Sequence, residues 1–287
     1  MKTYLTLVLL IGSLSLGRAD STIDATNHFA YGADFGWVDW RAGVTSGAAV
    51  GEYYCSGYLY AANVGWICLG SGSPTNGIRY QNLGGDYGVN FDSLGFLSGF
   101  AWGANVGWIS LSSTNHQARV DLSTGKFSGY AWSANCGWIS LSNAQAFVQT
   151  DRVAPAPDTD NNGLADAWEI EQFGHTGVDP NGDPDNDGVP TGTEYAAGTD
   201  PNNGSDYLRI TTYAFGPDGT TVTLTWTSTP TRRYYILKSP TLGPPAWVDS
   251  GLGLVIPDAG STTTRTFSDT SAPMRMYVIQ AVRPLGP

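Results

Sequence analysis

The chain has 287 residues, of which only 14% are charged, and its 25 acidic residues outnumber its 14 Lys and Arg for a net charge of −11. A nucleic-acid partner is thereby excluded, since no basic patch exists to meet phosphate. With 37 Gly, 10 Trp and 15 Tyr, the composition disfavours helix and suits short strands joined by tight turns.

Residues 1–19 have the layout of a secretory signal peptide. Lys2 supplies a positive start, Tyr4 to Leu16 is apolar, and Gly17-Arg18-Ala19 places small residues before a cut near Asp20. No later apolar run approaches the roughly 18 residues of a spanning helix. The expectation is therefore a secreted or cell-surface protein with no transmembrane segment in its mature chain.

Residues 20–150 repeat themselves. Phe29-Ala-Tyr31-Gly-Ala-Asp34-Phe-Gly36-Trp37 aligns with Tyr58-Leu-Tyr60-Ala-Ala-Asn63-Val-Gly65-Trp66. The third and fourth copies are Phe100-Ala-Trp102-Gly-Ala-Asn105-Val-Gly107-Trp108 and Tyr130-Ala-Trp132-Ser-Ala-Asn135-Cys-Gly137-Trp138. Each copy reads as two strand-like runs around Ala-Asn/Asp-x-Gly, a hairpin turn in which Asn and Gly tolerate positive φ. Upstream runs at Val89–Gly99 and Val120–Gly129 read as further hairpins. One such unit buries too little alone, so four must pack together as a propeller, barrel or solenoid. The recurring Trp37, Trp66, Trp108 and Trp138 admit two readings: a platform stacking the sugar rings of an extracellular polysaccharide, or the core of each unit. The core reading is preferred. Asn63, Asn105, Asn135 and Asp34 read as turn residues. Cys55 and Cys68 flank one hairpin turn and could bridge, although small buried thiols are the preferred reading.

Residues 151–206 hold 13 acidic residues against Arg152 alone, a net of −12. Within them one pattern occurs twice at an offset of 25 residues. Asp158, Asp160 and Asn162 stand at positions 1, 3 and 5, then Gly163, Leu164 at position 7, Asp166 at position 9 and Glu169 at position 12. In the second run these are Asp183, Asp185, Asp187, Gly188, Val189, Thr191 and Glu194. Ca²⁺ takes six to eight oxygens at roughly 2.3–2.6 Å, which forces the chain to curl around it. Alternate side chains then point inward, the glycine allows the sharp turn, the position-7 carbonyl faces the ion, and the final Glu closes the site. About two Ca²⁺ ions are expected, with Asp179 and Asp200 as possible further ligands. The doubled motif and the trailing Gly-Val-Asp179-Pro180 and Gly-Thr-Asp200-Pro201 resemble bacterial thrombospondin type 3-like repeats, relatives of dockerin and EF-hand loops. That resemblance implies extracellular calcium binding and stiffening of a modular protein, with no reaction. Pro155 and Pro157 disfavour a helix before the first loop, unlike an EF-hand sensor.

Residues 207–287 alternate at strand period in six runs separated by Gly, Pro and Asp, as in a β-sandwich. The region is similar to fibronectin type III and immunoglobulin-like modules, with Trp226, Tyr234, Tyr235 and Trp247 expected in its core. The fold class is therefore mainly β: a four-fold β-repeat region, a calcium-loop segment with small helices, and a sandwich. The three histidines (His28, His116, His175) lie in no catalytic motif, so an enzyme is not expected. Two functions compete. One is a structural or adhesion protein, meeting another surface protein, in which calcium stiffens a joint between β domains. The other is a lectin-like glycan binder.

Overall fold

A computed structural model describes residues 21–43, 47–113, 115–241, 246–270 and 275–286; the signal-peptide reading of residues 1–19 lies outside them. The fold is mainly β. Its first fourteen strands, in chain order, are β1 (Ile23–Gly32), β2 (Gly36–Asp39), β3 (Ala49–Val50), β4 (Cys55–Ser56), β5 (Tyr58–Ala61), β6 (Gly65–Cys68), β7 (Val89–Phe91), β8 (Leu97–Gly103), β9 (Gly107–Ser110), β10 (Arg119–Val120), β11 (Phe127–Ser128), β12 (Tyr130–Ser133), β13 (Gly137–Ser140) and β14 (Val148–Thr150). Eight of them close into a barrel in the order β13-β12-β9-β8-β6-β5-β2-β1, with β1 and β13 pairing antiparallel to shut it. Of propeller, barrel and solenoid, the chain adopts the barrel.

Strand alternation decides which side chains fill it. In each hairpin one apolar pair faces inward across the ladder: Ala30 with Val38, Leu59 with Ile67, Ala101 with Ile109, and Ala131 with Ile139. All eight are buried. An eight-stranded barrel has an interior only wide enough for side chains, and Ala opposite a branched residue suits that width. The aromatics next to each inward residue must then face outward, because the side-chain period is two. Trp37, Trp66, Trp108 and Trp138 are 46%, 50%, 50% and 44% exposed. The expectation that these tryptophans form the core is thus overturned. The inward residues are the Ala or Leu between two aromatics and the Val or Ile after each Trp.

The turns correct a second detail. Gly36, Gly65, Gly107 and Gly137 take φ of 68° to 87°, whereas none of the turn Asn residues has positive φ. The Asn residues join neighbours instead. Asn63 Nδ2 donates to Phe35 O (2.9 Å), Asn105 to Val64 O (3.0 Å) and Asn135 to Val106 O (3.0 Å), each reaching the preceding hairpin. At the closing seam Asp34 holds the Asn place and has no amide to donate. The seam instead carries a longer backbone bond from Ala33 N–H to Trp138 O (3.4 Å).

The short strands β3, β4, β7, β10, β11 and β14 continue the barrel core, adding Val50, Cys55, Val89, Phe91, Val120, Phe127 and Val148. Cys55 and Cys136 are buried, Cys68 is half-buried, and all three are free thiols, so the Cys55–Cys68 bridge is absent. Among the described residues two helices follow, α1 (Asp166–Phe173) and α2 (Thr191–Ala197), and none precedes Asp158. Neither helix is long and apolar enough to cross a membrane.

The last strands are β15 (Ile210–Phe215), β16 (Thr221–Thr227), β17 (Arg233–Ser239), β18 (Val248–Asp249), β19 (Thr262–Ser268) and β20 (Met276–Val282). They form two separate three-stranded sheets, β15-β16-β19 and β18-β17-β20. One buried cluster draws on both: Val222, Leu224, Trp226 and Phe267 from the first, Tyr234, Ile236 and Ile279 from the second. Of the expected core aromatics Trp226 and Tyr234 are buried. Tyr235 is only half-buried, since it alternates with Tyr234, and Trp247 is 40% exposed beside the edge strand β18.

Candidate metal centre

The two acidic runs fold into loops of matching conformation. Asn161 and Asn186 take φ of 59° and 60°, and Gly163 and Gly188 both take 89°. In the first loop Asp158 accepts the N–H of Asn162 (3.2 Å) and of Gly163 (3.0 Å), and Asp160 accepts that of Asn162 (3.2 Å). In the second, Asp183 accepts Asp187 N–H (3.2 Å) and Gly188 N–H (2.9 Å), and Asp185 accepts Asp187 N–H (3.3 Å). The position-5 side chain accepts the position-7 N–H in both: Leu164 to Asn162 Oδ1 (2.7 Å) and Val189 to Asp187 Oδ1 (2.8 Å). The backbone thus curls around each set of side chains, holding both carboxylate oxygens of Asp158 and Asp183 and one oxygen each of Asp160, Asp185 and Asp187.

Each loop ends in a short helix that carries the closing acid. α1 stops at Gly174, left-handed at φ 80°, whose N–H reaches Ile170 O; α2 stops at Gly198, φ 76°, whose N–H reaches Glu194 O. Helices of eight and seven residues do not persist alone in water and depend on packing. Trp168 supplies it. Its ring lies 4.8 Å from Tyr195 and 5.8 Å from Phe173, over the buried Leu164 and Ala165. Tyr195 also accepts the Ala165 N–H (3.1 Å), which ties the second helix to the first loop. Sequence reasoning missed this tie; its only trace was the pair Trp168 and Phe173 in the first helix and Tyr195 in the second.

The packing forces two carboxylates into the interior. Glu169 and Glu194 are both 0% exposed. In the second loop, ligand oxygens of Asp183, Asp185 and Asp187 lie within 4.8 Å of one another. Both carboxylate oxygens of Glu194, with Asp185 Oδ2 and Asp187 Oδ2, are buried without a hydrogen-bond partner among the described residues. Burial, then the charges of Asp185, Asp187, Asp183 and Asp200, push the Glu194 carboxyl up to about 7. Burial likewise raises Asp185. An unpaired ion in such a place costs several kcal/mol even after relaxation. Native proteins avoid that cost by pairing, protonation or metal coordination. The donors are all hard oxygens, the set that suits Ca²⁺ or Mg²⁺ rather than a softer metal.

The first loop is better satisfied by its own groups. Asn162 Nδ2 donates to Glu169 Oε1 (3.0 Å), Asp160 Oδ2 (3.3 Å) and Val178 O (2.9 Å), and Val178 N–H adds a bond to Glu169 Oε1 (2.7 Å). Only Glu169 Oε2 is left orphaned there. Asn162 therefore turns an amide hydrogen toward the place where Asp187 turns an oxygen. A cation in the first loop requires that amide to flip, losing its bond to Leu164.

The remaining acids lie as follows. Asp166 Oδ1 accepts from the backbone and hydroxyl of Thr159 (2.9 and 3.2 Å). Asp179 and Asp200 accept from Asn181 N–H (2.9 Å) and Asn202 N–H (3.0 Å), closing the turns after each helix. Asp200 is near enough to Glu194 to raise its pKa. His175 is exposed, its Nδ1 2.9 Å from Thr176 O.

The segment touches both β regions. Arg79 of the barrel pairs with Glu171 of α1. Arg232, beside β17, donates to Tyr195 O (2.7 Å) and Ala196 O (2.8 Å) in α2. Arg283, after β20, stacks on Tyr195 at 4.3 Å and pairs with Glu52 of the barrel. A cavity of about 500 Å³ lies where the three meet, between Tyr53, Trp168 and Arg232. No protein-family model matches the chain, and no significant match was found among curated proteins or solved structures.

Proposed function

We propose that this is an exported calcium-binding structural or adhesion protein, in which Ca²⁺ sets the joint between the barrel and a C-terminal two-sheet sandwich. The observation that carries the reading is Glu194, fully buried with both oxygens unpartnered among the described residues and near enough to feel the charges of the three clustered aspartates of its own loop. Asp183, Asp185, Asp187, the Val189 carbonyl and Glu194 would hold the tighter ion. Asp158, Asp160, Asn162, the Leu164 carbonyl and Glu169 would hold a weaker one. Glu194 has no hydrogen-bond partner among the described residues, so above its raised pKa a cation would contribute directly to folding of this segment. Calcium would also remove carboxylate repulsion between the Arg79–Glu171 contact on one side and the Arg232–Tyr195 contact on the other.

Export rests on the layout of residues 1–19, and the absence of catalysis on the lack of any recognisable catalytic arrangement in the sequence. The hairpin copies support a four-fold internal repeat, and the core shared by two sheets supports the sandwich. Small-angle scattering of the full chain tests the joint. The radius of gyration is expected to fall when calcium replaces chelator. Equal dimensions in both would refute a metal-set joint.

A further inference from the structure

The outer wall of the barrel has four seams between neighbouring hairpins, and one of them differs. Across the seams Asp39 faces Tyr60, Cys68 faces Trp102, Ser110 faces Trp132, and Ser140 faces Tyr31. Three of the first-named groups are already engaged. The Asp39 carboxylate meets His28 Nδ1 (2.6 Å) and Arg41 N–H (2.8 Å). Cys68 lies against Tyr87, whose ring closes on Trp108 at 4.9 Å. Ser140 donates its hydroxyl to Ser142 O (2.8 Å). Ser110, by contrast, accepts the Ser112 N–H (3.2 Å), and its own hydroxyl proton has no acceptor among the described residues.

At that seam the wall opens into a cleft of about 400 Å³ lined by Trp132, Trp138, Ser110, Ser112, Asn115 and His116. Both indoles are more than 40% exposed. The His116 ring stands edge-on to Trp138 (5.9 Å) and Tyr130 (5.4 Å), so the cleft wall is packed in place. The volume is in the range of small-ligand sites. Among the described residues, no Asp, Glu, Lys or Arg lines it.

We infer that this cleft binds one or two sugar rings of a neutral polysaccharide. A pyranose has an apolar C–H face and a dense rim of hydroxyls. An exposed indole matches the face, since its ring is flat and its burial carries a large apolar gain. Hydroxyl, amide and imidazole groups close beside it match the rim, each able to donate and accept. The missing cations argue against an acidic sugar, which calls for Arg or Lys. The missing carboxylates argue against hydrolysis, which calls for a pair of them. The site is thus one particular seam and not all four repeated tryptophans, and it stands independently of the metal loops.

Affinity electrophoresis of the calcium-loaded full chain tests this, using gels cast with soluble β-glucan, xylan or galactomannan and, for comparison, polygalacturonate. Retardation by at least one neutral polymer is expected, with the dissociation constant raised about tenfold or more by Trp132→Ala, the scale of a binding hot spot. His116→Ala and Asn115→Ala, in a loop outside the ladder, should each weaken binding several-fold and decide the matter if Trp132→Ala does not fold. Trp66→Ala, on another seam, should leave binding unchanged. Retardation by no neutral polymer would overturn the inference. So would equal losses in Trp66→Ala and Trp132→Ala, retention by polygalacturonate alone, or binding of a proline-rich peptide with no glycan bound.

Discussion

The barrel and the acidic segment solve the same problem of burial with opposite materials. The barrel encloses Ala, Val, Leu and Ile, and its polar turn groups find one another through the Asn63, Asn105 and Asn135 bonds. The segment encloses Glu169 and Glu194 and leaves carboxylate oxygens without partners. The first interior leaves one neutral donor, the Trp40 indole N–H, without a partner among the described residues, and no charge; the second leaves carboxylates and calls for a cation. Stability of the barrel should therefore be indifferent to calcium, and stability of the segment should depend on it.

The largest effect expected is in the barrel. Ile109→Ala removes a buried side chain from a closed interior and should cost about 2–5 kcal/mol. Urea unfolding followed by the barrel signal should give the same loss in calcium and in chelator. A loss confined to chelator would break the contrast. In the segment, calcium at 100 times its dissociation constant should stabilise by about 2.7 kcal/mol per site. Glu194→Gln should remove most of that gain while raising stability in chelator, because a neutral amide is cheaper to bury than an unpaired carboxylate. Differential scanning calorimetry with and without chelator separates the two outcomes.

The pH dependence sharpens the same contrast. The folded-state pKa of Glu194, about 7 without metal, lies above its ordinary 4.5. A raised carboxyl pKa means that the folded form prefers the proton, so the burial penalty is absent below about 4.5 and complete above about 7. Calcium must displace that proton. The rise in melting temperature on adding calcium should thus be small at pH 5 and full at pH 8, measured by thermal scans across that window. A calcium effect independent of pH would contradict the placement of Glu194.

The smallest effect belongs to the barrel seam. Asp34→Asn should supply the amide that the other three turns have, and gain about 1 kcal/mol, the net worth of one hydrogen bond. Asn105→Ala should lose a similar amount. Chemical unfolding of both variants tests whether the ring of turn amides contributes as proposed.

Much of this was legible in the chain itself. Hairpins, the strands of the last third and the loops ending on Glu169 and Glu194 follow from periods of two and from glycine placement, which are local rules. Closure into a barrel was not legible, because the bond from Tyr31 to Ser140 joins strands that are adjacent only after three other hairpins have formed. The tryptophans were misread for a related reason. A repeated aromatic looks alike inside or outside, and the deciding residue was the buried branched one after each Trp: Val38, Ile67, Ile109 or Ile139. In the loops the acids were legible, but the difference between them was not. It depends on how Asn162 turns its amide and on Val178 returning from 16 residues beyond Asn162 to meet Glu169, contacts that no spacing encodes.

Calorimetric titration of the chelated full chain with Ca²⁺, set beside Glu194→Gln, tests the central claim most directly. Two unequal sites are expected in the native protein, with the tighter lost and the weaker kept in the variant. Unchanged binding in Glu194→Gln, or no heat in the native protein up to the millimolar range in which extracellular modules bind, roughly 10⁻⁴–10⁻³ M, would contradict it.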